Sequence, residues 1–329
     1  MSQEKPLVVV FGATGETGRS IVDGLLRSHA FRVAAVARNP SNADVVKLSE
    51  RGVTIHQADL LTVTQKRLEE ILAGADTVIA TVHPSCIEAQ KKIIDAAKVV
   101  GVKRIVPDDF GTDAPAGVML MHDKKLAIRD YLKQSGVGYT FIEVGWWIQN
   151  TVPYPPDING MHAEFSHNFI GSGDVPFAVT DLFHIGDYVR RVIADERTLN
   201  QTVFIWEDEV TLNKTWAVAV ARLGDAVLQK KKVLTDTDQI TEEEITMQLE
   251  SVRAAGTEQI LLRYVTEYWY SIFVRGDNTI AKAKAAGALD FKELYPDAKT
   301  YDYEYLADSF YKKPYMPYAG GYKTETLKD

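Results

Sequence analysis

Leu7-Val8-Val9-Val10-Phe11-Gly12-Ala13-Thr14-Gly15-Glu16-Thr17-Gly18 decides how the rest of the chain is read. The apolar run 7–11 has the length and composition of a buried strand. Gly-x-x-Gly-x-x-Gly follows at once, and Ile21, Leu25 and Leu26 then recur at helical spacing. Gly12 lets the chain turn out of the strand, Gly15 lets backbone N–H groups approach a pyrophosphate, and Gly18 lets the helix pack close to the sheet. The first N–H groups of a helix lack intrahelical acceptors and lie at the positive end of its dipole, so they hold an anion. Three spaced glycines alone mark many ordinary turns. Between a strand and a helix they mark a dinucleotide site, with Gly12, Thr14, Gly15, Thr17 and Gly18 as its expected contacts.

Outward from this stretch, residues 31–37 read as a second strand, with Arg38 at its tip. A site that prefers NAD usually has Asp or Glu there to bind the ribose hydroxyls. A guanidinium suits a 2′-phosphate instead, and Lys47 adds a second positive charge from the next helix, so NADPH/NADP+ is the expected cofactor. Residues 53–60 form a third strand, with Asp59 beginning the next turn, either beside the adenine or capping a helix near Thr64. Residues 75–82 form a fourth strand whose end, with Thr81, passes the cofactor, because ligands collect at the carboxyl ends of parallel strands. His83 reads as a loop histidine before Pro84, and Cys86 as a small buried residue. A helix over 87–100 ends at Gly101, and residues 103–107 are a fifth strand running into Asp108-Asp109-Phe110-Gly111. Five strands with intervening helices define an α/β fold: a Rossmann-type, doubly wound parallel sheet.

The composition of the 329 residues, 46% hydrophobic and 25% charged, is that of a globular enzyme. No apolar run is long enough for a membrane span, and the first residues lack a signal-peptide core. A net charge of −8 argues against nucleic acid or an anionic membrane as partner, and Lys230-Lys231-Lys232 reads as a solvated cluster. With one cysteine, no internal disulfide forms and no zinc spacing appears; a reducing cytoplasmic setting and no metal are expected.

Several stretches carry a resemblance to a known family. Gly12-Ala13-Thr14-Gly15-x-x-Gly18, Arg38 with Lys47, and Val102-Lys103-Arg104-Ile105-x-Pro107-x-Asp109-Phe110-Gly111 resemble the isoflavone reductase-like branch of the NmrA-like, atypical short-chain dehydrogenases. The family usually has Pro-Ser-Glu-Phe-Gly in the last of these, and 107–111 keeps its shape and its acid. The resemblance continues through Lys125-Leu-Ala-Ile-Arg129, 138–142, Gly171-Ser172-Gly173, 185–187, 195–200 and Leu294-Tyr295-Pro296. It implies a Rossmann-type NADP(H) domain, with Phe110 at the cofactor, beside a smaller interleaved α+β substrate domain. It also implies reduction of aromatic, usually phenolic, small molecules. The family's catalytic lysine lies in Lys-x-x-x-Arg on the helix after the fifth strand. Helical geometry leaves Lys124 and Lys125 both on the flanks of the face shared by Met121, Ile128 and Leu132. The family spacing selects Lys125, which has Arg129 four residues on. Such a lysine, desolvated beside a cationic nicotinamide, is expected to have a lowered pKa and to exchange a phenolic or enolic proton; protonated, it would stabilise an enolate. The Tyr-x-x-x-Lys of ordinary short-chain dehydrogenases occurs only as Tyr295 to Lys299, interrupted by Pro296, and reads as a chance match.

Residues 139–142 are a sixth strand leading to Trp146 and Trp147, expected as a flat apolar wall for the substrate, with at least one of them core. The family often has Phe where Trp147 stands. Residues 175–179 read as a strand returning to the main sheet or its edge, 185–194 and 212–223 as helices, 202–206 as a strand, and Thr241 as a helix cap. Residues 1–155 are thus expected as the nucleotide domain, with segments near 175–206 returning to it, and 156–329 as mainly the substrate domain. The aromatic run 264–273 is expected in its core. The tail 311–322 is expected to pack on its own surface or on a second subunit of a homodimer. Two other activities fit the same fold: a non-catalytic dinucleotide-binding redox sensor, and an isomerase or dehydratase.

Overall fold

The computed structural model describes residues 4–231 and 240–319. The chain forms two compact units. One comprises the residues up to Phe110, Lys124–Glu143 and Phe183–Val203; the other comprises Gly111–Asp123, Val144–Leu182 and the residues from Phe204 onward.

The first unit alternates strand and helix: β1 (Leu7–Phe11), α1 (Glu16–Ser28), β2 (Arg32–Ala37), α2 (Ala43–Glu50), β3 (Thr54–Gln57), α3 (Gln65–Leu72), β4 (Thr77–Ala80), α4 (Gln90–Val100) and β5 (Arg104–Val106). The five strands are parallel in the order β3-β2-β1-β4-β5, with Val9 opposite both Ala34 and Val78. Strands β1 and β4 lie inside this sheet and are covered on both faces, which is why they read as unbroken apolar runs rather than alternating ones. The direction of winding reverses between β1 and β4, the place where ligands bind in such sheets. Helix α5 (Leu120–Ser135) leads to β6 (Thr140–Val144). Just before β6 the chain runs parallel to β5, with the Ile105 N–H donating to the Gly138 carbonyl at 2.8 Å.

The chain continues through β7 (Trp146–Trp147), α6 (Met161–Ser166), β8 (Phe177–Thr180), α7 (Ile185–Ala194), β9 (Gln201–Ile205), β10 (Asp208–Val210), α8 (Leu212–Leu223), α9 (Glu242–Ala254) and α10 (Ile260–Trp269). Of these, α7 packs against α1 in the first unit, where the Gly186 N–H donates to Ser20 Oγ at 3.0 Å and Arg27 pairs with Asp187. Strand β8 does not return to the main sheet. It is the centre of a separate sheet, parallel to β7 and antiparallel to β10. Residues 144–155 likewise cluster with the second unit: Ile148, Val152 and Tyr154 are fully buried there with Phe177, Trp216 and Ile272. The expected placement of 144–155 and of 175–182 fails for one reason. Their apolar faces match a second core, and strand periodicity does not say which core a face will join.

Helices α7 and α8 and the Thr241 cap are as expected; Thr241 and Glu244 form a reciprocal capping box. Trp269, Ile272 and Phe273 lie in the second unit's core. The described tail packs on its own chain, with Tyr154 donating to the Tyr315 carbonyl and Tyr311 to the Pro153 carbonyl; residues 320–322 lie outside the described residues, as does Lys232. Lys231 lies over the Phe169 ring rather than in solvent alone. Among the described residues no helix is long and apolar enough to cross a membrane.

Arg104 on β5 is 4% exposed and donates to Thr140 Oγ1, Thr198 Oγ1 and the carbonyls of Val192 and Asp195. Arg104→Met would strand these buried acceptors and should cost about 2–3 kcal/mol. An unchanged urea midpoint would remove that role.

Candidate active site

The glycine turn is built by close contact. Gly12 has φ +78°, and a Cβ on it would lie 2.0 Å from the Thr81 carbonyl oxygen. A Cβ on Gly18 would lie 2.2 Å from the Gly12 carbonyl oxygen. Both glycines are required because α1 and the end of β4 press on the turn. The Gly15 N–H closes the turn onto the Gly12 carbonyl at 2.9 Å, while Gly15 itself is exposed. Helix α1 starts at Gly15 with no side chain capping it. An uncapped helix start behind an open glycine fits a pyrophosphate. Thr14 is half-buried and Thr17 buried at this start. The Thr81 hydroxyl is already committed: it lies 2.9 Å from the Phe11 carbonyl and 3.2 Å from that of Gly12, pinning β4 to the turn.

Arg38 is exposed at the tip of β2. Burial and, second, the Arg38 charge push His83 below the usual histidine value, so the tips of β2 and β4 share one electrostatic environment. His83 Nδ1 contacts Ser85 Oγ at 2.9 Å and caps the turn over Pro84–Cys86. Cys86 is half-buried beside that serine rather than fully buried. Lys47, 69% exposed, pairs with Asp44 on its own helix at 3.3 Å. Asp44 also faces Arg19 at 3.7 Å, and the Arg19 guanidinium donates to the Thr14 carbonyl at 3.3 Å. Arg19 is thus a cation on the glycine turn that motif reading passed over, although it directly follows Gly18. Asp59 does not cap α3. Thr64 does that, and Asp59 closes an earlier turn onto the Leu61 N–H.

The lysine lies at the carboxyl end of β5. Lys125 on α5 is 8% exposed, whereas Lys124 is only half-buried. Lys125 Nζ donates to the Asp109 carbonyl at 2.6 Å. One turn on, Arg129 Nε reaches both carboxylate oxygens of Asp109 at 3.0 Å, and its terminal nitrogen reaches Glu143 on β6 at 2.9 Å. The loop carrying these groups is held in place. The Phe110 N–H donates to the Ile142 carbonyl at 3.0 Å, and Phe110 is buried with φ +25°, a conformation that costs about 1–3 kcal/mol outside glycine. Parallel strands end on one edge, and β4 alone separates β1 from β5. The glycine turn and the lysine loop are therefore about 10 Å apart along that edge.

The tryptophans belong to the second unit, both half-buried. Trp146 packs against Tyr268 with ring centres 5.5 Å apart, and Trp147 stacks on Tyr318 at 6.3 Å. The same unit carries an open groove of about 430 Å³ lined by Met161, Glu164, Phe165, Ile240, Gln248, Leu262 and Trp269. Neither tryptophan lines it. Its residues come from four separate segments, so no single stretch of sequence announces it. Tyr295 follows a short helix and is not on one helix with Lys299, so that pair forms no dyad.

A parallel sheet whose glycine turn feeds an uncapped helix, with a basic residue at the tip of β2, defines a Rossmann-type dinucleotide-binding protein. The profile of the NmrA-like family matches residues 4–306, and the chain belongs to that family. It is 32% identical to the asnovolin J 5′,6′-dehydrogenase of Aspergillus novofumigatus, over 90% of this chain and 93% of that one. It is 28% identical to an isoflavone reductase-like protein of Olea europaea, over 93% and 99% of the two chains. The leucoanthocyanidin reductase–NADPH complex of Vitis vinifera superposes with a TM-score of 0.75 at 24% identity, covering 93% of this chain and all of that one.

Asp108 is half-buried beside Lys125, and burial pushes its carboxyl up to about 6. An acid that binds its proton more tightly when folded stabilises the fold least once ionised. Wild-type stability should therefore fall relative to Asp108→Asn as pH rises from 4 to 6, by up to about 3 kcal/mol, and the difference should then level off. A difference between the two denaturation curves that does not change with pH would refute this.

Proposed function

We propose that this chain is an NADPH-dependent reductase of an aromatic, phenolic or conjugated small molecule. The buried Lys125 at the carboxyl end of β5, on the same sheet edge as the glycine turn, is the observation that carries the reading. A protein that only senses a dinucleotide would not need a lysine buried there in a Lys-x-x-x-Arg setting. When bound, the nicotinamide supplies the hydride. Gly12, Gly15 and Gly18, with Thr14 and Thr17, shape the turn and helix start that receive the pyrophosphate. Arg38 binds the 2′-phosphate, with Arg19 close by and Lys47 contributing charge from α2. Thr81 and Phe110 act by holding the turn and the lysine loop. Lys125 exchanges a proton with the substrate oxygen.

The NADPH complex of the Vitis relative and the dehydrogenase and reductase names of the others agree with this reading. For the substrate, the second unit offers the Trp146 and Trp147 faces and the Phe165–Trp269 groove, apolar surfaces suited to an aromatic ring. A reducing cytoplasmic setting suits the single thiol. The described tail packs on its own unit.

Arg38→Asp should weaken NADPH binding about tenfold to a hundredfold more than NADH binding, read by cofactor fluorescence; equal losses would defeat the assignment. Lys125→Ala should lower turnover by about 10²–10⁴ while NADPH still binds. Retained turnover would move the proton to another group. The direct test is NADPH consumption by the purified protein across quinones, enones and phenolic benzylic ethers. No consumption across that panel would favour the sensor.

A further inference from the structure

Strand β7 consists of two tryptophans, and successive side chains of a strand point to opposite faces. Trp146 packs on the core of the second unit, against Tyr268, and Trp147 turns the other way. The backbone of Trp147 is held on both sides. It pairs with Thr180 of β8, and its carbonyl accepts the Thr151 hydroxyl at 2.8 Å. Helix α6 supplies a second flat side chain, His162. Its Nδ1 lies 2.9 Å from Asn150 Oδ1, and the Phe165 ring stands edge-on to it at 6.5 Å, so the plane of the imidazole is fixed.

One further ring stacks on both. Tyr318 has its ring centre 6.3 Å from that of Trp147 and 6.0 Å from that of His162, tilted by 29° and 28°. It belongs to the segment after residue 306, where the match to the family profile ends. That segment is anchored as far as Pro317. Tyr311 donates to the Pro153 carbonyl, and the Tyr315 carbonyl accepts from Tyr154. The Met316 sulfur fills the space that a Cβ on Gly160 would need, 2.7 Å away, and Pro317 is buried. Tyr318 is set differently. It is half-exposed, its φ of +53° is strained outside glycine, and both stacking distances lie in the longer half of the range for ring pairs. A firmly anchored strap thus ends in a ring that is held at a cost.

We propose that Trp147 and His162 bound a binding site for one planar aromatic ring, and that Tyr318 fills this site in the free protein as an internal competitor which an incoming ring displaces. The occupant is itself a phenol, so the site takes an uncharged, hydroxylated aromatic ring. That the ligand is a substrate rests on the reductase reading; the exchange of rings does not. Apparent affinity falls by the fraction of molecules in which Tyr318 has left the site, and the loss is equal for every ring that binds there. Ligands held at low concentration are therefore those with contacts beyond the ring. Helix α6 offers such contacts close by, because Phe165, which packs on His162, also lines the groove with Met161 and Trp269. The arrangement selects extended aromatic molecules over simple phenols.

The test labels the full chain with fluorotyrosine, uses Tyr318→Phe to assign the Tyr318 fluorine resonance, and titrates with 2-naphthol. Saturation should move that resonance to the position of a solvated tyrosine. By calorimetry, 2-naphthol should bind about threefold to tenfold more tightly to Tyr318→Ala than to the wild type, the reciprocal of the open fraction. Tyr318→Phe, which refills the site, should stay close to the wild type. Tyr318→Asn removes the ring with a residue that tolerates the left-handed backbone, and should match Tyr318→Ala. Trp147→Ala should weaken binding with or without Tyr318. A Tyr318 resonance that stays in place at saturation, an affinity that loss of the ring leaves unchanged or weakens, or no binding to any of these proteins overturns the proposal. NADPH oxidation separates the two readings. Displacement of Tyr318 without oxidation by any phenolic compound removes the reductase reading alone. Oxidation with a KM that Tyr318→Ala does not lower removes the internal competitor alone.

Discussion

A single buried guanidinium holds the corner around Lys125 together. Arg129 reaches from α5 to Asp109, beyond β5, and to Glu143 on β6, and its plane lies 5.1 Å from the Phe141 ring. One Nε–H shared by both Asp109 oxygens and a terminal nitrogen on Glu143 lie in one planar guanidinium, which fixes direction as well as distance, as a lysine at the same place would not do. It settles the position of the Asp109 peptide, and the carbonyl of that peptide is what Lys125 touches. The Lys-x-x-x-Arg spacing thus has a mechanical meaning. Two residues one helical turn apart grip the same aspartate, one by its side chain and one by its backbone.

The dinucleotide half depends on the opposite device, which is space. Gly12 and Gly18 are needed because backbone and Thr81 crowd them, and Gly15 because it is left open. Thr81 links the two halves: its hydroxyl fastens the end of β4 to the turn after β1, and β4 lies directly between β1 and β5. The uncapped start of α1 and the buried ion-pair group beside Lys125 therefore sit on one sheet edge. Groups fixed in this way are positioned without reorganisation during a reaction.

Much of this was legible from residue order. The βα alternation, the glycine turn, the bounds of α7 and α8 and the Thr241 capping box all rest on contacts within a few residues, where periodicity and capping chemistry act. Choosing Lys125 over Lys124 needed a family spacing, because both flank the same helix face; burial then separates them. Asp59 and Lys47 were legible only as residue types. Asp59 bonds to Leu61 two residues on, and Lys47 pairs with Asp44 on its own helix.

Sequence by itself determined the class of fold, the dinucleotide turn and a basic tip on β2, because each is written in neighbouring residues whose backbone geometry is local. Only the tertiary structure decided that β8 belongs to a second sheet, that the groove beside Phe165 and Trp269 exists, and that Lys125 and Arg129 both meet Asp109 while Arg129 also meets Glu143. Those outcomes depend on segments far apart along the chain. Whether an apolar face joins one core or another, and whether a buried charge finds its counter-charge, is settled by which surfaces meet when the chain packs.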